Sequence, residues 1–292
     1  MKRFISASAY LSALLAALFF LSCGEGGLDF GDFTDTGNSD VKGRFEDSTR
    51  GQTKGIALPP VTDSNKFSFV WMTDTHYRPD KQDYLDQVAN FISNNGGKFI
   101  LASGDLTDRG DAANFDYFIR HTHELLTVPF YSAIGNHDLY GDGWDAFRWD
   151  VGPSVTSFDY GNSFFMFIDS ASCEIGSDQF DWIEDRLQHS NMATNRFVLS
   201  HLCLYDSELE TPAILCDPDE RLHLASLLKK YQVDYFLCGH KHWIEEDRLD
   251  GFNQIMGGTP SPYKPPTNGK PVFWNFTVNG NDVEYQRIEF QE

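Results

Sequence analysis

Five short apolar runs, each closed by a cluster of Asp, His or Asn, constrain this chain more than any other feature. The runs are Phe67–Met72, Phe99–Ala102, Pro129–Ile134, Arg196–Leu199 and Val233–Cys238. Their length suits strands. The stretches between them suit amphipathic helices, at Lys81–Ser93, Ala112–Leu126, Asp178–His189 and Glu220–Lys230. In the third helix Phe180, Ile183 and Leu187 recur at three-to-four spacing, and Ser177 and Asp178 can cap its start. Ser157–Ser170 breaks the rhythm and reads as a hairpin turning at Gly161-Asn162. Trp243–Phe290 reads as further strands, with a turn in Val278-Asn279-Gly280-Asn281. The sum is an α/β domain with two sheets face to face and helices outside.

The clusters that close the runs hold the chemistry. In order they are Asp74-Thr75-His76, Gly104-Asp105 continuing to Asp108-Arg109-Gly110, Gly135-Asn136-His137-Asp138, His201, and Gly239-His240-Lys241-His242. Ligands of open α/β sheets bind where the strands end, so five separate loops can converge on one place. The glycines at 104, 135 and 239 permit sharp turns and close backbone approach. Imidazole and carboxylate suit Zn²⁺, Fe²⁺ or Mn²⁺ better than Ca²⁺, which prefers an all-oxygen cage. Seven candidate ligands exceed one tetrahedral ion and suit two ions sharing a carboxylate. A lone Asp-x-His or His-x-His is common in solvated loops; five such elements in this order are not. His121, His123, His189 and His223 lie on predicted helices and read as surface or packing residues.

These blocks resemble those of the calcineurin-like metallophosphoesterases: Asp-x-His, Gly-Asp-x-x-Asp, Gly-Asn-His-Asp, a single His and Gly-His-x-His. The resemblance spans roughly Phe67 to His242. It implies a four-layer α/β/β/α sandwich of two mixed sheets, with metal ligands on loops at the strand ends. It implies a dinuclear, metal-dependent hydrolase of a small phosphodiester or phosphomonoester, using two divalent ions (Mn, Fe or Zn). Carried over, Asp74, His76, Asp105 and His242 hold one ion, and Asp105, Asn136, His201 and His240 the other. His137 is the expected general acid, with Asp138 orienting its ring. Arg109 contacts a phosphate oxygen or makes a structural salt bridge, and Asp108 supports the loop or a ligand. Purple acid phosphatases place a Tyr ligand where this chain has Asp108, so a tyrosinate-bound ferric site is not expected. A catalytically inactive binding or adhesion lipoprotein on this scaffold is the alternative, but no ligand and no acid is missing. Loops at Tyr77–Asp80, Leu139–Trp149, Leu202–Pro218 and Gly257–Lys270 are candidates to shape the substrate site. In the second, Tyr140, Trp144, Phe147 and Trp149 either stack on a substrate or pack. The last, rich in Pro with Tyr263, reads as a stiff rim.

Acids outnumber bases 43 to 23, a formal charge of −20. That field repels nucleic-acid polymers but leaves room for a locally cationic metal pocket. At the N-terminus a basic start (Met1-Lys2-Arg3) precedes an apolar stretch from Ile5 to Ser22, which reads as a signal peptide. Leu21-Ser22-Cys23-Gly24 resembles a bacterial lipoprotein cleavage site, with Phe20 where Leu is usual. The expectation is a leader over 1–22, a lipidated Cys23 opening a flexible tether over 23–56, and one phosphoesterase domain over 57–292. An exported, membrane-anchored chain permits disulfides. Cys203 and Cys216, flanking one loop, are the expected pair among Cys173, Cys203, Cys216 and Cys238, and Cys238 is expected in the core.

Overall fold

The computed structural model describes residues 39–208 and 213–291. The elements run α1 (Val41–Thr49), β1 (Lys66–Met72), α2 (Leu85–Asn95), β2 (Ile100–Ser103), α3 (Ala112–Leu125), β3 (Phe130–Ala133) and α4 (Gly143–Asp150). They continue with β4 (Thr156–Tyr160), β5 (Ser163–Phe167), α5 (Ser177–His189), β6 (Asn195–Leu199), α6 (Pro218–Lys230) and β7 (Tyr235–Cys238). The chain finishes with β8 (Ile244–Arg248), β9 (Asn253–Gly257), β10 (Val272–Asn279) and β11 (Asp282–Glu289).

Alternation along the strands builds the layers. In β1, Phe67, Phe69 and Trp71 face one side while Val70 and Met72 face the other, the period of two of extended chain. Both sides are covered, which is why this strand reads as a continuous apolar run. One sheet has the order β11-β10-β1-β2-β3 and the other β4-β5-β6-β7-β9-β8. Phe69 lies between Phe99, Phe165, Phe197 and Phe276, so the two sheets meet over an aromatic core. α2, α3 and α4 cover the outer face of the first sheet, and α5 and α6 that of the second. This is the expected four-layer sandwich of two mixed sheets. The β4–β5 hairpin turns at Gly161-Asn162, with Tyr160 paired to Ser163. Two helix starts move. α2 begins at Leu85, whose N–H is taken by Asp83, and α6 begins at Pro218 behind the Asp217 cap.

Two expectations are corrected. The stretch read as a tether contains α1, which is docked on the domain. Arg44 is fully buried and makes a two-pronged ion pair with Asp169 just past β5, at 2.7 and 3.0 Å. From the same helix Asp47 accepts from Trp144 and Arg148 of α4, and Phe45 meets Trp182 of α5 edge-on. α1 therefore ties the two outer helical layers together. Its nine residues show little amphipathic period, because one buried guanidinium does the work usually done by an apolar stripe. Arg44→Ala would leave the Asp169 carboxylate buried without its partner, so a stability loss of about 3–5 kcal/mol is expected in denaturant unfolding; a loss below about 1 kcal/mol would mean that water replaces the guanidinium. The leader, Cys23 and the first part of the tether lie outside the described residues.

The disulfides are Cys173–Cys216 and Cys203–Cys238, each with Cα atoms 5.3 Å apart. Cys203 does not pair with Cys216. β6 and β7 are parallel neighbours, so the residues just past Leu199 run beside those just past Leu237, and tertiary proximity overrides closeness in sequence.

Candidate metal centre

β1, β2 and β3 run parallel in one sheet, and β5, β6 and β7 in the other. The loops leaving β1, β2, β3, β6 and β7 meet across the ends of the two sheets. His240 N–H donates to both Asp74 oxygens at 3.0 Å, and His201 Nδ1 lies 2.9 Å from the Ser103 carbonyl. Close approach requires glycine. A Cβ on Gly135 would collide with the amide and carboxylate of Asp105, and one on Gly239 with the Thr73 hydroxyl and Asp74. Five candidate ligands hold left-handed backbone: Asp74, His76, Asp105, His240 and His242, with φ between 48° and 72°. Non-glycine residues take that conformation at a cost, and such strain gathers at functional sites.

All seven candidate ligands come together. Asp74, His76 and His242 each bring one ligand atom within 4.8 Å of the others, and so do Asp105, His201 and His240. Asn136 Oδ1 lies 2.9 Å from His201 Nε2 and 3.1 Å from His240 Nδ1. Asp105 stands between the groups. Its Oδ2 is 3.7 Å from His76 Nε2, and its Oδ1 is 3.4 Å from His201 Nε2.

The donor set suits a cation. A carbonyl only accepts, so His201 Nδ1 carries a proton toward Ser103. Its Nε2 lies 2.9 Å from Asn136 Oδ1, 3.4 Å from Asp105 Oδ1 and 3.1 Å from His240 Nδ1, so nitrogen and oxygen donors converge on one point. His76 Nε2 and His242 Nε2 are 2.8 Å apart beside Asp74. Burial, reinforced by Lys264, holds His76 well below the ordinary imidazole range; burial and His201 do the same to His240. Neutral imidazole is the form that ligates. Burial drives the Asp105 carboxyl well above the ordinary range, as expected of an anion site whose positive charge is not supplied by the chain. Burial also opposes ionisation of Asp74, but its hydrogen bond and attraction to His242 outweigh that and hold it low.

The family model for calcineurin-like phosphoesterases matches residues 67–243, more than half of the 292. The chain belongs to the calcineurin-like phosphoesterase family. No curated protein matches it in sequence. Among solved structures it resembles GAP50, described as the anchor in the inner membrane complex of Plasmodium, at TM-score 0.63 and 15% identity, over 77% of this chain and 85% of that one. It also resembles the purple acid phosphatase PPD1 from yellow lupin (Lupinus luteus) seeds, at 0.61 and 18%, over 79% of this chain and 53% of that one. A dimetal phosphatase from Danio rerio matches at 0.55 and 14%, over 78% and 100%. The chain thus spans about half the length of the lupin enzyme. At such identities the likeness is one of fold, while family membership supports a hydrolase.

In this family member the expected acid, His137, sits beside the candidate ligands. His137 opens a single 3-10 turn, His137–Leu139, and its ring lies 4.6 Å from that of His76 between centroids. Its Nδ1 is 2.8 Å from the Asp108 carbonyl, and its N–H donates to Asp105 Oδ1 at 2.9 Å. Nδ1 of the ring thus faces a backbone carbonyl, and Asp138 is the next residue in the turn. Both Asp138 oxygens accept from the loops: Oδ1 from Thr107 N–H and hydroxyl, Oδ2 from Leu106 and Gly135 N–H. Burial pushes its carboxyl up to about 6 against those three amides.

Arg109 is exposed to solvent. The cations drawn to the ligand set are two others. Lys264 lies 2.6 Å from Asp108 Oδ1 and 3.5 Å from His76 Nδ1, and Arg78 donates to Asp108 Oδ2 at 3.0 Å. Asp108 Oδ1 also lies 3.5 Å from Nδ1 of the candidate ligand His76. Lys264 belongs to the Pro-rich loop read as a rim, and Tyr263 of that loop donates to the His76 carbonyl. Of the aromatic loop, Trp144 and Phe147 are buried in packing, whereas Tyr140 lies against His137 with centroids 4.9 Å apart. His121 bonds Asp83, His189 bonds its own helix and His223 stacks on Phe180, all outside the ligand groups.

Proposed function

We propose that the chain is a dinuclear, metal-dependent hydrolase of small phosphoesters. The observation that carries this reading is Asp105, whose two carboxylate oxygens face the two histidine groups. Asp74, His76, Asp105 and His242 would hold one divalent ion, and Asp105, Asn136, His201 and His240 the other; nitrogen and oxygen donors suit Mn, Fe or Zn. When bound, such ions acidify a shared water and offset the negative charge of a phosphoryl group. The chain supplies the remainder. His137, fixed through Nδ1, presents Nε2 as the atom that passes a proton to the departing alkoxide. Asp138 braces the loops carrying Asp105 and Asn136 by accepting from their backbone amides. Asp108 binds Lys264 and Arg78 at the position where a tyrosinate would be needed, so the proposal contains no tyrosinate-bound iron.

The same proposal places the enzyme outside the cytosol, anchored by a lipid at Cys23. Its support is the N-terminal leader and two disulfides, which persist in oxidising compartments. The test is direct. Purified full chain resupplied with Mn²⁺, Zn²⁺ or Fe²⁺ should hydrolyse aryl phosphate monoesters or diesters, and the ratio of the two rates assigns the substrate class. Metal-loaded protein inert toward both would favour the binding-protein alternative.

A further inference from the structure

Cys203–Cys238 stands between the side chains proposed for the second ion. Cys203 follows His201 by two residues, and Cys238 precedes His240 by two. Both cysteines are fully buried. The strands feeding them are already paired, and Gly239 N–H donates to the His201 carbonyl at 2.9 Å. The side chains that follow come together beyond the strand ends. His201 Nε2, His240 Nδ1 and Asn136 Oδ1 converge at 2.9–3.1 Å. A covalent tie two residues from each histidine fixes the spacing of that convergence.

The loop leaving Cys203 strengthens the arrangement. It returns to itself where Leu215 N–H donates to the Cys203 carbonyl at 2.9 Å. From this loop Asp206 takes the Lys241 ammonium at 2.8 and 2.9 Å, and Lys241 is the residue between His240 and His242. The geometry points to Cys203–Cys238 as the positioning bond of the second metal site: it holds His201 and His240 at the separation the ion takes, so second-ion affinity depends on it and first-ion affinity does not. This inference rests on the dinuclear reading above.

The other disulfide provides a matched control. The two close loops of similar size, with sequence separations of 35 and 43, and loop-closure entropy varies only with the logarithm of size. Cys173–Cys216 has no candidate ligand within two residues of either end. The full chain, C203A/C238A and C173A/C216A should be titrated with cobalt(II), following the visible absorption and the bound metal per chain. C203A/C238A is expected to bind its first ion as the parent does and its second about 10- to 100-fold more weakly, the range for losing a partner that orients a ligand. C173A/C216A is expected to keep both affinities. Equal weakening of both ions, or of both variants, would overturn the inference and make the bond a general staple. If C203A/C238A does not fold, the parent can be reduced in stages with a water-soluble phosphine and the open pair mapped by thiol labelling. Loss of one ion from chains open only at 203–238 supports the inference, and retention of both overturns it. A parent chain that binds fewer than two ions would instead defeat the dinuclear reading itself.

Discussion

Asp105→Ala should cost the protein both metal sites at once, whereas Asp74→Ala or His201→Ala should weaken chiefly one. The reasoning is geometric: Asp105 faces both histidine groups, through different oxygens. It also accepts the His137 N–H, so its loss frees the turn that carries the acid. Asp105→Asn separates these roles. The amide keeps an acceptor for His137 but removes the charge that a pair of cations requires. Both variants should bind one ion or fewer per chain and lose more activity than the about 10²- to 10⁴-fold typical of a general acid alone. Bound metal counted after dialysis, beside hydrolysis rates, checks this. Two tightly held ions in either variant would remove the shared carboxylate from the scheme.

His137→Ala should give a smaller and more selective loss. A general acid matters only when the leaving group is too basic to depart unaided. Alkyl esters should therefore slow by about 10²- to 10⁴-fold, and nitrophenyl esters much less. A plot of log rate against leaving-group pKa should be steeper in the variant than in the parent. Parallel lines would show that His137 positions substrate instead. Metal content should stay at the parent value, because in the proposed scheme His137 holds neither ion: it groups with His76 and Asp108, not with Asp74 or Asp105.

Much of this site was legible in the sequence, for a physical reason. Strand ends at one sheet edge bring loops together, and glycines beside Asp105, Asn136 and His240 announce backbones that must touch. What stayed hidden depends on contacts without a sequence signature. The group on His137 Nδ1 is a carbonyl, which every residue possesses. Lys264 reaches Asp108 from more than 150 positions away, and nothing in its own neighbourhood marks it. α1 escaped because a buried Arg44, not an apolar stripe, docks it. The cysteine pairing was misread because loop proximity is a weaker guide than strand order, and strand order is set by the sheet.

The left-handed backbone at five ligands bears on any attempt to engineer this fold. Such positions carry on the order of 1–3 kcal/mol each in the metal-free chain. Glycine at any of them would relax the backbone and delete a donor in the same stroke. Screening for a higher melting temperature in chelator would therefore enrich substitutions that dismantle the chemistry. Selection with metal present reverses that bias, because binding energy then offsets the strain. The conditions of selection, more than the library, would decide whether a stabilised descendant remains an enzyme.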